Sequence, residues 1–485
     1  MNRLAGLVIV CALLIGCAFA GSAFSAPEVN PEGIWLGPIK TPAGDLRIVF
    51  HVARNQDGSL TVTADSPDQG ASGLEVDSFT IADGRLRIEM TKVGGSFEGA
   101  LSANGQKAEG EWKQAGGSFP LTLERVERVP EPNRPQYPKK PYPYNEEEVS
   151  YENAAAGATF AATLTYPKSG GPFPAVVLIT GSGPQDRDET VLGQKPFLVL
   201  ADHLTRQGIA VLRADDRGVG GSTGDSSKAT TEDYAGDTLA GVAYLKTRTE
   251  IDPKRIGLIG HSEGASIAPI AANRSVDVAF VVLVAPPGVD GEQIVLAQSG
   301  LILKAEGVPD SLVAEQVADT AGYLEVAKQI KDDAAAEKRI RDVYAAKLAS
   351  MTDEQKKAAG ITDAAAEGGV EAIVKRMLNP WFRYFISYDP APALRQVKAP
   401  VLAIWGEKDL QVPPKQNLPA VESALRLGGN QHYVVKELPG LNHLLQTAKT
   451  GSPSEYARIE ETMSPVALKT ISDWIGEQTG AKARE

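Results

Sequence analysis

From about Pro31 to Glu127, apolar and polar positions alternate with a period of two. Leu46, Ile48, Phe50 and Val52 are interleaved with Arg47, Val49 and His51. Leu60, Val62 and Ala64 alternate with threonines, and Leu86, Ile88 and Met90 alternate with Arg85, Arg87 and Glu89. Turn signals separate these runs: Asp57-Gly58, Asp83-Gly84, Gly94-Gly95, Asn104-Gly105 and Gly116-Gly117. One apolar face per strand and tight turns between strands predict an antiparallel barrel or sandwich over 31–127. Gly33-Ile-Trp35 and Gly110-Glu-Trp112 flank it like opening and closing strands. No set of polar residues converges there, so a packed accessory domain is expected rather than a ligand barrel.

The pattern then changes twice. Residues 128–145 carry prolines at 130, 132, 135, 138, 141 and 143. Proline forbids helix interiors and central strands, so this stretch is expected to be an extended, semi-rigid linker. From Glu146 the apolar runs become continuous. Ala175–Ile179, Ile209–Arg213, Ile256–Ile259, Val278–Val284, Val401–Ile404 and Tyr433–Leu438 read as strands buried on both faces. Helical stretches such as Phe197–Gln207 and Asp233–Arg248 lie between them. The order predicts an α/β domain over 146–485, with a mainly parallel sheet and helices on both faces. Between about 288 and 387 the strand signal vanishes and Ala, Glu, Lys and Asp dominate, which predicts a helical insertion.

Composition adds constraints. The 485 residues include 49 Lys plus Arg and 61 Asp plus Glu, a net charge of −12, which argues against a nucleic-acid partner. The two cysteines, Cys11 and Cys17, both lie in the first twenty residues. A disulfide framework or cysteine metal site is thereby excluded from the body of the chain. No His-x-x-x-His or Glu-bearing zinc motif appears, and no cofactor or metal is expected. Residues 1–26 read as an export signal: Arg3, an apolar run from Leu4 to Ala20, then small residues. Ala18-Phe-Ala20 and Ala23-Phe-Ser25 both suit cleavage. Leu14-Ile-Gly-Cys17 also resembles a lipoprotein box, which would make Cys17 a lipid anchor. Export to the periplasm or cell envelope is the expectation, with no membrane span in the mature chain.

Gly260-His-Ser-Glu-Gly264 directly follows the strand ending at Ile259 and precedes the helical run from Ala265. This is G-x-S-x-G between a strand and a helix, where a sharp turn presents the serine at the carboxyl edge of the sheet. Small neighbours two residues away on each side are required, and both are glycine. Asp216-Arg-Gly-Val-Gly-Gly-Ser-Thr-Gly224 forms a second glycine-rich turn. It lacks the Lys-Ser/Thr ending of a phosphate loop, and Thr223 occupies the third glycine of a dinucleotide fingerprint. With Thr180-Gly-Ser-Gly-Pro-Gln-Asp-Arg-Asp188 and Trp405-Gly-Glu-Lys-Asp409, these motifs make the chain from Glu146 resemble the α/β-hydrolase fold. It is similar to exported bacterial esterases with an N-terminal β domain. The resemblance implies an α/β-hydrolase core with the insertion acting as a helical cap.

The resemblance also implies roles. Ser262 would be the nucleophile, followed in chain order by an acid and a histidine. Of the five histidines, only His432 and His443 follow a plausible acid. His432 opens a strand, whereas His443 lies in the loop beyond it, so His443 is assigned as the base. Glu407 and Asp409 both follow the preceding strand, and the family's turn pattern with Val412-Pro413 selects Asp409. The oxyanion-hole N–H groups would come from Ser182 and Glu263. The Glu263 side chain is expected to point away and pair with Arg187 or Arg217. Asp186, Arg187 and Asp188 are expected to pair among themselves rather than touch substrate. Trp381, Phe382 and Phe385, at the end of the cap, would line the acyl pocket or pack cap to core.

Together these readings predict a serine carboxylesterase for small short-acyl esters. A serine aminopeptidase-type peptidase or thioesterase on the same residues is the enzymatic alternative. An envelope binding protein that keeps an inactive hydrolase fold is the non-catalytic one.

Overall fold

The computed structural model describes residues 30–481 apart from 42–43, 70, 115–116, 131–132 and 359–360. The leader and both cysteines lie outside the described residues.

Nine strands form the N-terminal sheet: β1 (Gly33–Thr41), β2 (Gly44–Arg54), β3 (Leu60–Ser66), β4 (Ala71–Glu75), β5 (Ser78–Ala82), β6 (Arg85–Met90), β7 (Gly95–Leu101), β8 (Lys107–Gln114) and β9 (Gly117–Val126). All described pairings are antiparallel, in the order β4-β3-β2-β1-β9-β8-β7-β6-β5. The two edge strands are consecutive in the chain, joined only by Val76 and Asp77. Laid flat, nine strands would put those edges about 38 Å apart, so the sheet must curl into a barrel-like shell. Its inward positions carry Trp35, Phe50, Leu86, Phe97, Trp112 and Leu123. In β6 the exposure alternates strictly, as a one-sided strand requires.

The second sheet comprises β10 (Tyr144–Asn153), β11 (Ala158–Pro167), β12 (Phe173–Ile179), β13 (Ala210–Ala214), β14 (Ile251–His261), β15 (Phe280–Val284), β16 (Val401–Gly406) and β17 (Tyr433–Leu438), in the order β10-β11-β13-β12-β14-β15-β16-β17. The first two are antiparallel and the rest run parallel. Every residue of β12, β15 and β16 is buried, because helices cover both faces. One face packs α2 (Thr231–Lys246), α3 (Gly264–Arg274), α10 (Ala391–Gln396) and α11 (Pro414–Leu427). The other packs α1 (Pro196–Arg206) and α12 (Pro465–Thr479). Helix α2 begins with a Thr230–Asp233 capping box, and several others begin with proline in the first turn.

Between β15 and β16 the chain leaves the sheet for α4 (Gly291–Ala305), α5 (Asp310–Gln329), α6 (Asp333–Ser350), α7 (Asp353–Ala358), α8 (Asp363–Met377) and α9 (Pro380–Phe385). These helices have their own core, in which Tyr323, Leu324, Ile340, Phe382 and Ile386 are buried. No helix among the described residues is long and apolar enough to cross a membrane.

The proline-rich stretch does not hang free. Arg134 donates to the carbonyls of Ala457, Ile459 and Gly193. The Gln136 side chain binds the backbone of Thr462 and Met463.

Candidate active site

The parallel strands of the second sheet deliver their following loops to one edge. The β12 loop brings Gly181 and Ser182, Ser262 directly follows β14, the β16 loop carries Asp409 and the β17 loop carries His443. Ligand sites of open α/β sheets form at this carboxyl edge.

The serine turn is built by exclusion. A Cβ on Gly260 would lie 2.1 Å from the Gly264 carbonyl oxygen, and one on Gly264 would lie 2.2 Å from that of Ile179. Only glycine lets the strand turn so sharply into α3. Ser262 takes the strain with φ +54°, a left-handed conformation costly for a residue with a side chain. Its N–H donates to the Val284 carbonyl at 2.9 Å, which fixes the turn to the next strand. Glu189 (φ +52°), Ala285 (φ +51°) and Leu445 (φ +58°) are held in the same region in loops at this edge.

Asp409 and His443 are joined. His443 Nδ1 lies 2.8 Å from Asp409 Oδ2, and both side chains are almost fully buried. A carboxylate only accepts, so the proton sits on Nδ1 and Nε2 is the ring's other, basic nitrogen. Asp409 Oδ1 accepts from the N–H groups of Gln411 and Val412, each at 2.8 Å. Three hydrogen bonds thus fix the carboxylate. Glu407, the other acid of that turn, instead accepts from Gly440 N–H at 2.8 Å. His432 precedes β17, which starts at Tyr433.

A second histidine–carboxylate pair lies beneath the first, and sequence reasoning missed it. His261 Nε2 donates to the His443 carbonyl at 3.1 Å, and the two rings approach to 4.7 Å between centroids. His261 Nδ1 lies 2.9 Å from Glu189 Oε1, which also accepts from Gly181 N–H at 2.6 Å. Burial works against a charged His261, but the Glu189 carboxylate outweighs it and holds the pKa above the usual histidine value. One chain of hydrogen bonds therefore links the Gly181 turn to the His443 loop.

The expected partners of Glu263 are corrected. Neither Arg187 nor Arg217 reaches it. Its Oε1 accepts from Thr231 Oγ1 at 2.8 Å and from the Trp381 indole N–H at 2.7 Å. Burial raises its pKa. Arg217 pairs instead with Asp237, while Arg187 forms a two-pronged pair with Asp215 and reaches Glu148. The three-residue cluster is also corrected: Asp188 pairs with Arg213 and Lys195, and Asp186 caps its own turn through Thr190. Each arginine here has a closer acid across the sheet edge than along the chain. Beside them, Asp216 accepts from Thr180 Oγ1 and Gln185 N–H at 2.9 Å each, and burial pushes its pKa up to about 7.

Above Ser262 lies a cavity of about 490 Å³, within the range of small-molecule sites. Ser182, Ser262 and Glu263 form its floor, and Trp381, Phe382 and Phe385 are in its wall. The aromatic residues both line the cavity and pack: Trp381 and Phe385 stack at 5.4 Å, and Phe382 is buried in the cap core. Gln298, Lys375, Arg376 and Gln411 also border the cavity. Nothing in the local sequence distinguishes Gln298, Lys375 and Arg376, because the cap fold alone brings them there, whereas Gln411 comes from the Asp409 turn. No group of acids, histidines or cysteines among the described residues could hold a metal ion.

Over 297 residues the chain is 29% identical to Esterase EstD of Thermotoga maritima, a match covering 61% of this chain and 60% of that protein. The chain thus matches less than two thirds of that relative's length. Among solved structures, it is similar to an acylaminoacyl peptidase of Pyrococcus horikoshii, with 14% identity, TM-score 0.43, and coverage of 91% of this chain and 62% of that one. It is also similar to an esterase of Pyrococcus furiosus, with 16% identity, TM-score 0.40, and coverage of 72% and 97%. Residues 176–459, more than half of the chain and spanning Ser262, Asp409 and His443, match the model of the alpha/beta hydrolase family, and the chain belongs to that family.

Proposed function

We propose that the protein is a serine carboxylesterase acting on small, short-acyl esters. The observation that carries this reading is the hydrogen-bonded Asp409–His443 pair at the same sheet edge as a left-handed Ser262 that lines an apolar-walled cavity. Ser262 Oγ attacks the acyl carbon while His443 Nε2 takes its proton, and Asp409 steadies the imidazolium. The negative charge that develops on the carbonyl oxygen is met by the N–H groups of Ser182 and Glu263. Gly181 N–H is occupied by Glu189, and the next N–H of that turn, on Ser182, borders the cavity. Collapse expels the alcohol, protonated by His443, and water then releases the acid by the same steps in reverse.

The similarity to Esterase EstD supports ester chemistry over the alternatives. A peptidase that held a substrate ammonium would need a carboxylate in the cavity. Among the described residues Glu263 is the only acid in the lining, and it is buried and bonded to Thr231 and Trp381.

The test uses p-nitrophenyl esters from acetate to palmitate and a fluorophosphonate probe. Wild-type protein is expected to peak at short chains and to label. Ser262→Ala is expected to lose both properties while keeping its melting temperature. Ester turnover that survives in Ser262→Ala would remove the nucleophile assignment. A peak at palmitate would overturn the short-acyl reading.

A further inference from the structure

The cavity above Ser262 combines an apolar wall with two cations, Lys375 and Arg376, from the last turn of α8. Neither side chain makes an ion pair or a side-chain hydrogen bond among the described residues. Several other cap cations are paired: Lys328 with Glu292, Lys347 with Asp319, Arg383 with Asp333, and Arg341 with three glutamates. Lys331, Arg339 and Lys356 are not in an ion pair among the described residues either, but they do not line the cavity. The Arg376 guanidinium lies over the Phe382 ring, 4.9 Å from its centroid, and Phe382 lines the same cavity. That cation–π contact holds the guanidinium, a fork suited to carboxylate oxygens, at the cavity. Both side chains keep exposed surface; desolvation by their neighbours lowers the Arg376 pKa. The one acid in the lining, Glu263, is turned to Thr231 and Trp381, so it does not neutralise the pair.

Resting on the esterase reading above, we propose that Lys375 and Arg376 form a subsite for a carboxylate carried by the substrate. The preferred substrates are then esters bearing a negative charge at the end of a short aliphatic spacer. The overall charge of −12 repels such anions, so a local pair of cations would decide whether they are admitted. Both residues also suit the negative end of the α8 dipole. That role alone predicts no discrimination between charged and neutral substrates, and the experiment turns on this difference.

The probes are monoethyl adipate against ethyl hexanoate for a charge on the acyl side, and 4-acetoxybutanoate against butyl acetate for a charge on the alcohol side. The readout is the ratio of kcat/KM for the charged ester to that for its neutral counterpart. In wild-type protein at low salt, one of the two ratios is expected to exceed one by about tenfold or more. It should shrink as salt rises to 0.5 M, a concentration chosen to shorten the screening length. Lys375→Gln and Arg376→Gln are each expected to lower the ratio, Arg376→Glu to bring it below one, and Arg376→Lys to retain part of it. Ratios near one in wild-type protein, or ratios that these variants leave unchanged, overturn the proposal. Failure of the esterase reading is separately visible, because wild-type protein would then turn over none of the four esters faster than Ser262→Ala.

Discussion

Replacing Glu189 by Gln changes almost no volume but removes the carboxylate on which the buried network is built. In the native arrangement Glu189 Oε1 accepts from Gly181 N–H, and one proton lies between Oε1 and His261 Nδ1. His261 Nε2–H is committed to the His443 carbonyl. With glutamine a protonated His261 is left as a buried charge without its carboxylate, and a neutral one leaves a mismatch in every arrangement. If the amide oxygen faces Gly181, it meets a lone pair on Nδ1, or else Nε2 turns a lone pair toward the His443 carbonyl. If the amide NH2 takes that place, it opposes Gly181 N–H. A buried mismatch costs about 1–3 kcal/mol. If the loops hold their positions, the cost falls on stability, and at about 2–4 °C per kcal/mol the melting temperature drops by about 2–12 °C. If the loops relax, His443 shifts relative to Ser262 and kcat falls by about 5- to 150-fold. Differential scanning fluorimetry and p-nitrophenyl butyrate turnover on the same preparation read both quantities. A melting temperature within about 1 °C of wild type, together with kcat within twofold, would refute the reasoning.

Other expectations are simpler to state. Gly264→Ala places a Cβ 2.2 Å from a backbone oxygen and should abolish soluble folded protein, whereas Gly322→Ala, with open space around its Cβ inside α5, should be neutral or stabilising by up to about 1 kcal/mol. Trp381→Phe leaves Glu263 with Thr231 as its remaining side-chain donor; it should cost about 1–2 kcal/mol in melting experiments and raise KM more than it lowers kcat. Asp216 has a folded pKa of about 7 against an ordinary value of 3.8. The folded chain therefore holds a proton there that the unfolded chain releases near pH 4. That contribution is present below about pH 4 and is lost as pH rises through 7, at most about 4 kcal/mol. Asp216→Asn should remove this slope, so chemical denaturation between pH 4 and 8 should show wild-type stability falling relative to the variant; parallel curves would contradict the assignment.

The sequence was most informative where structure is dictated locally. Ser262 sits between two glycines because the turn has no room for a Cβ, and that constraint is written within five residues. The continuous apolar runs of β12, β15 and β16 and the alternation in β6 likewise follow from their immediate surroundings. Glu189 left no such mark. It is one acid in a polar loop, and its importance comes from a fold that sets it against His261, 72 positions along the chain. For Glu263 the motifs suggest Arg187 or Arg217 as partner. Its partner Trp381 lies 118 residues away and reaches it only because the cap folds back over the sheet. Lys375 and Arg376 read as ordinary last-turn cations until the cap is placed above Ser262.

The linker's hydrogen bonds decide where the hydrolase unit begins. By composition the cut falls at Glu146, after the last proline of the linker. Yet Arg134 and Gln136 occupy backbone groups of Ala457, Ile459, Thr462 and Met463. That segment in turn holds the stretch just after His443: Gln446 donates to the Glu461 carbonyl, and Ser464 N–H donates to Leu445. A fragment starting at Glu146 strips these partners from a strained loop next to His443, while one starting at Asn133 keeps them. The functional boundary of the catalytic unit thus lies inside the proline-rich stretch, and its first dozen residues belong to the catalytic domain in all but sequence character.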